Sequence, residues 1–151
     1  MPDPAADARR IIDANVYMTL ASADADGRPW ASPVWFAHDE HTRFAWVSRP
    51  ERRHSRNLAE RPQAGIVIFD STAEQGAAEA VYADAVAGRV SEEDKERYTE
   101  LFTRRSEALG WPGLAIEDVR PPAALRLYVA TAAELFVLGP NDDRIPVDLA
   151  G

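Results

Sequence analysis

Cysteine is absent from this chain, which removes disulfides, thiolate zinc sites and cysteine nucleophiles from consideration together. Lysine is nearly absent as well: one Lys accompanies sixteen Arg, a bias read as GC-rich coding and given no functional weight. No apolar run approaches the roughly 20 residues needed to span a bilayer. The opening Met1-Pro2-Asp3-Pro4-Ala5-Ala6-Asp7 lacks the basic start and apolar stretch of a secretion signal. A cytoplasmic location and no membrane partner are therefore expected. Neither G-x-G-x-x-G nor G-x-x-x-x-G-K occurs, so the usual nucleotide-phosphate loops are missing. Positive charge is scarce overall: the formal net charge of −8 disfavours nucleic acid as a partner.

What is present is an ordinary globular composition, 46% hydrophobic and 28% charged over 151 residues. A single domain over 1–151 is expected, long enough to bury roughly 70% of its unfolded surface. One window breaks the acidic pattern. From Arg49 to Arg61 there are five Arg and two Glu, a local balance of +3, so the remainder carries −11. The spacing predicts that the strand Phe44 to Ser48 feeds directly into a short helix over this window. A helix start leaves backbone N–H groups without intrahelical partners, and its macrodipole adds about half a positive charge. Guanidinium groups beside it can grip phosphate oxygens in a fork. The window therefore reads either as a phosphate site for a cofactor or as a solvated charged face.

Taken in order, Asp3 and Pro4 form a helix start, with Ala8, Ile11 and Ile12 on one face. Val16 to Ser22 alternates as a strand, and Asp24-Ala25-Asp26-Gly27 is a turn with Gly available for positive φ. Trp30 to Ala37 reads as the next strand. Its interior Pro33 cannot donate to a ladder and belongs at an edge or bulge, a place where a flat ligand can also approach backbone. His38-Asp39-Glu40-His41 closes a hairpin into Arg43 to Ser48. No third distant His joins this pair except His54, and turns are commonly this polar, so no metal is expected.

Ile66 to Phe69, apolar at every position, is expected to be buried on both faces. Val81 to Val90 is a longer strand. Ser91 caps the longest helix, whose stripe is Tyr98, Leu101, Phe102, Arg105 and Leu109, and Gly110 with Pro112 ends it. Two more strands are expected, Ala124 to Thr131 and Glu134 to Leu138, before a tail containing Asn141-Asp142-Asp143-Arg144. About seven strands and three helices, joined by hairpins, do not alternate as a parallel sheet requires. The fold class is mainly β (α+β): an antiparallel sheet closed into a small barrel with about three peripheral helices.

Tyr17-Met18-Thr19-Leu20-Ala21, Gly27-Arg28-Pro29 leading into Ser32-Pro33-Val34-Trp35-Phe36, then Trp46-Val47-Ser48, Arg53-His54-Ser55-Arg56-Asn57-Leu58 and Pro62 occur in a telling order. Together they resemble the pyridoxamine 5′-phosphate oxidase-like family, the flavin-binding split barrels, over roughly Ile12 to Leu138. The resemblance implies a split β-barrel and a homodimer with FMN in clefts at the subunit interface. It implies that Arg53 and His54 grip the FMN phosphate, that Ser48 contacts it after Val47, and that backbone of Ser32, Pro33, Val34 and Trp35 lines the isoalloxazine ring. The family's usual second basic residue is Lys, so His54 holds charge only when protonated, fading above about pH 6.5. Ser48 with Glu51 also spells a capping box, so its hydroxyl has a second use. Trp46 and Asn57 read as packing and helix support.

Departures narrow the chemistry. Phe36 stands where vitamin B6 phosphate oxidases place a substrate-binding Lys, Ala31 stands where they place a basic residue, and their C-terminal Arg-Leu-His has no counterpart beyond Arg144. Vitamin B6 oxidation is accordingly not expected. The expected activity is an FMN-dependent oxidoreductase passing a hydride between the flavin and a small-molecule substrate or nicotinamide. Two alternatives stand beside it. One is a deazaflavin (F420)-dependent reductase, whose acidic cofactor tail suits Arg49, Arg52 and Arg56. The other is a non-catalytic dimeric module binding flavin or haem, with His38, His41 and His54 as the candidate iron ligands.

Overall fold

A computed structural model describes residues 1–151. Helix α1 (Pro4–Ala14) starts as the sequence predicts: the Asp3 side chain accepts from the N–H groups of Ala5 and Ala6, and Ala8, Ile11 and Ile12 are buried. Eight antiparallel strands follow in one curled sheet: β1 (Tyr17–Ala23), β2 (Pro29–Trp35), β3 (Ala37–Asp39), β4 (Arg43–Ser48), β5 (Gln63–Phe69), β6 (Ala80–Arg89), β7 (Arg126–Leu138) and β8 (Arg144–Val147). Two helices interrupt the strands, α2 (Arg53–Glu60) after β4 and α3 (Glu92–Ala108) after β6. The strand order is β2-β1-β5-β6-β7-β4-β3, with β8 on the far half of β7. This is a split barrel. No helix is long and apolar enough to cross a membrane.

Local rules explain most of it. Gly27 has φ +84°, as the β1–β2 turn demands. Pro33 pairs opposite Thr19 on β2, an edge strand, where its missing N–H breaks no interior ladder. Ser91 accepts from the Asp94 N–H at the start of α3. The core joins Ile11 and Ile12 of α1 to Leu20, Trp46, Ile66, Ile68 and Val81 of the sheet. A smaller cluster of Ala45, Val90, Tyr98, Val119 and Leu127 seats α3 on the other face of β4 and β7.

Four expectations need correction. Ile66 to Phe69 is not buried on both faces: Ile66 and Ile68 face the core, while Val67 is half-buried and Phe69 exposed, so ordinary strand alternation governs. Ala124 to Thr131 and Glu134 to Leu138 are not two strands but fall in one, β7, whose register shifts opposite Asp84 and Ala85; the bulge leaves Ala133 unpaired and interrupts the alternation. The tail holds an eighth strand, β8, paired from Arg144 to Val147 with Leu138 to Leu135. Finally, Phe36 separates β2 from β3, so Trp30 to Ala37 is not one strand. Its ring is 1% exposed and packs edge-on against Phe44, 6.0 Å between centroids.

Helix α2 is anchored to the turn end of the β1–β2 hairpin. Asn57 Nδ2 donates to Ser22 Oγ at 3.1 Å, both residues being buried, and Arg61 Nη2 donates to the Ala25 carbonyl at 2.7 Å. Asn57 is helix support, as its sequence context suggests. Ser22→Ala leaves the Asn57 amide buried without that acceptor and is expected to lower unfolding free energy by about 1–3 kcal/mol. Urea unfolding followed by tryptophan fluorescence measures it; an unchanged midpoint refutes the anchoring.

Candidate functional site

Strand β2 lies at one end of the sheet and β4 one strand from the other, so curling brings them face to face across the split. On β2, residues 30, 32 and 34 share the face of their buried partners Ser22, Leu20 and Met18. On β4, Ser48 shares the inner face of Phe44 and Trp46. Helix α2 then starts beside this gap and closes it with one side chain. His54 Nε2 lies 2.8 Å from Ser48 Oγ, and His54 Nδ1 lies 3.2 Å from Ser32 Oγ. Three residues separated by up to 22 positions thus form one hydrogen-bonded row. Arg53, one residue earlier, lays its guanidinium over the Trp30 ring, 4.3 Å from the centroid.

The helix start itself is unusual. Its N-cap is Arg52, which supplies no side-chain hydrogen bond, and the first turn contains no acidic residue. The Ser48–Glu51 capping box therefore does not form; the Ser48 hydroxyl is engaged by His54 instead. Ser, Thr, Asp or Asn ordinarily occupies the N-cap, and basic groups at this end oppose the macrodipole. Arg52, Arg53 and Arg56 thus crowd the positive end of an uncapped helix, whose first-turn N–H groups lack intrahelical acceptors. An anion seated there would relieve both deficits.

Of the remaining candidates, Val34 is buried in the main core and Val47 packs with the α3 cluster. Trp35 stacks edge-on against Phe102 at 4.4 Å and tilts against Trp111 at 5.5 Å. Pro33 is exposed on the strand face opposite Ser32. The structure therefore brings Ser32, Ser48, Arg53 and His54 together; Pro33, Trp35 and Val47 lie on other faces, and Val34, on the face of Ser32, is buried in the core. Trp30 is the residue that sequence reasoning missed. Its signal was available: two positions before Ser32, it shares that residue's face.

Burial, and then the neighbouring Arg52, lowers the His54 pKa below its ordinary 6.5. The imidazole is therefore neutral at pH 7, and the site's fixed positive charge comes from arginine. Because the unfolded chain protonates its His first as pH falls, the fold loses stability as pH drops below 6.5 toward the lowered folded value. A bound phosphate reverses the balance by favouring imidazolium. Anion affinity is accordingly expected to rise as pH is lowered from 8 toward 6.5, with a flatter profile for His54→Gln. A titration at three pH values checks this, and parallel profiles contradict it.

Comparison with known proteins identifies the family and the fold. Heme oxygenase HutZ of Vibrio cholerae is 32% identical over 96 residues, covering 62% of this chain and 53% of HutZ. A pyridoxine/pyridoxamine 5′-phosphate oxidase of Rubrobacter xylanophilus is 29% identical over 119 residues, covering 79% of this chain and 53% of the oxidase. The chain thus spans about half the length of these curated relatives. A heme-binding protein from Mycobacterium smegmatis has the same fold, with a TM-score of 0.78 at 22% identity, covering 99% of this chain and 59% of that one. The family model described as pyridoxamine 5′-phosphate oxidase matches residues 5–138, and the chain belongs to that family of split barrels.

Proposed function

We propose that this protein is an FMN-dependent oxidoreductase that binds the cofactor phosphate at the start of α2. The observation that carries the reading is the uncapped, arginine-rich helix start facing the hydroxyls of Ser32 and Ser48. The donor set fits a phosphate: a guanidinium, two hydroxyls free to reorient, an imidazole able to take up a proton, and the first-turn N–H groups. When bound, FMN supplies hydride transfer at its ring system. Arg53 and the serines fix the cofactor's anionic end, and Trp30, 42% exposed, offers an apolar wall beside it. Buried Phe36 has no means of holding a second phosphate, which argues against a vitamin B6 phosphate as substrate.

The reading includes a homodimer. Thr19, Val67, Tyr82, Phe136 and Pro146 pair in register across β1, β5, β6, β7 and β8, none of them fully buried. A continuous, mostly apolar row across five strands suits a flat partner such as a second copy of the sheet.

A second reading, a haem-binding module, is favoured by the likeness to HutZ and to the heme-binding protein of Mycobacterium smegmatis, and by a neutral His54, the protonation state that ligates iron. Both ring nitrogens of His54 are already engaged, so iron must displace a serine. Parallel absorbance titrations with FMN, deazaflavin F420 and hemin separate the readings. Stoichiometric FMN uptake, followed by bleaching with a nicotinamide donor, is the expected result. A hemin Soret shift without flavin uptake overturns the proposal in favour of the module, and preferential F420 binding overturns the choice of flavin.

A further inference from the structure

We propose a second, independent ligand site: a divalent transition-metal clip formed by Asp13, His38 and His41. Asp13 closes α1, while His38 lies on β3 and His41 in the β3–β4 turn, so the three come from two separate parts of the chain. Their ligand atoms lie within 4.8 Å of one another. His38 Nε2 is 2.7 Å from Asp13 Oδ1, and His41 Nε2 is 3.0 and 3.1 Å from the two carboxylate oxygens. The two imidazoles stack at 4.0 Å between centroids. Two Nε2 atoms converging on one carboxylate supply a donor set that borderline cations such as Zn²⁺ and Co²⁺ accept, with water completing the shell. The side of the cluster formed by Asp13 is open to solvent, so an ion has a way in.

None of the three residues belongs to the row at α2, so this inference stands apart from the flavin reading. In the sequence no third distant His joins the hairpin pair except His54; the fold supplies instead a carboxylate from 25 residues before His38. Two features oppose the ion. His38 Nδ1 accepts the His41 backbone N–H at 3.1 Å, which places the proton of neutral His38 on Nε2. Coordination through Nε2 moves that proton to Nδ1 and turns the His41 amide away. The turn that must yield is short, with Glu40 and His41 at φ 53° and 59°. Arg105 is the second: its guanidinium bonds the carbonyls of Asp13 and Asn15 at 3.3 and 3.1 Å and adds a repulsive charge. His41 Nε2 likewise donates to the carboxylate, so its proton must also move to Nδ1, but there the change breaks no existing hydrogen bond.

Full-length protein is dialysed free of metal and titrated with Zn²⁺ by calorimetry and with Co²⁺ by visible absorbance. One equivalent of each should bind, cobalt giving the intense ligand-field bands of a low-coordinate nitrogen–oxygen site, and the melting temperature should rise with zinc. His41→Gln and Asp13→Asn should each weaken zinc binding at least tenfold. Absence of a stoichiometric site in the wild type, or variants that bind as it does, overturns the proposal and leaves a hydrogen-bonded clip. Should Asp13→Asn fail to fold, His41→Gln and the wild-type cobalt spectrum decide the matter alone.

Discussion

Trp46→Ala is expected to lower the free energy of unfolding by about 3–5 kcal/mol, the range for deleting a large buried aromatic. Trp46 is 0% exposed on the inner face of β4, and its indole stacks on Tyr128 at 5.7 Å with 13° between planes. Its stacking partner Tyr128 is held opposite it by the β4–β7 register and is not free to refill the space. For a domain of this size the loss corresponds to a melting-temperature drop of about 6–20 °C. Trp46→Phe is the informative companion. Trp46 Nε1 is buried without a hydrogen-bond partner, so the phenyl ring removes an unpaired donor while keeping most of the apolar surface. Its cost should stay below about 1.5 kcal/mol. Calorimetry on both variants checks the pair, and an alanine effect under about 1 kcal/mol contradicts the burial of Trp46 in the main core. The consequence reaches the site, because Ser48 follows two residues later on the same strand face.

Replacing both Arg53 and His54 with Ala is expected to weaken FMN binding by about 2–4 kcal/mol, the loss of two charge-assisted contacts. The two members act differently. Arg53 is exposed, and its visible contact is the Trp30 ring, so its removal takes away fixed charge at little cost to the fold. His54 is the bridge between Ser48 and Ser32, so its removal also frees the hydroxyls that face each other across the split. The effects should therefore be non-additive: the double variant loses less than the sum of the singles if the serines reorganise together. Fluorescence titration of the three variants measures this. Unchanged affinity in the double variant refutes the phosphate assignment while leaving the fold intact.

Much of the fold was legible in the sequence because its signals are local. Asp3, Ser91 and Gly27 each answer to a rule spanning about four residues, and each is observed as expected. Pro33 announced an edge strand by the donor it lacks. The errors also have a physical source. β7 reads as two strands because a bulge interrupts the alternation that identifies a strand, and the four residues of β8 carry too little pattern to stand out from a polar tail. At the site, the basic helix start was visible as a charge anomaly, yet the link from His54 to Ser32 was not, since curling of the sheet creates it. The same limit hid Asp13 beside His38 and His41. Local periodicity says which face a residue takes; it does not say which distant residue shares that face.

The central claim is that the start of α2 holds the anionic end of a nucleotide, and comparing FMN with riboflavin tests it most directly. The two ligands share the ring system and differ only in the phosphate. If Arg53, His54, Ser32 and Ser48 grip that group, riboflavin should bind at least about 100-fold more weakly than FMN, a difference of about 2.7 kcal/mol. Equal affinities for the two would place the anchor elsewhere and contradict the account.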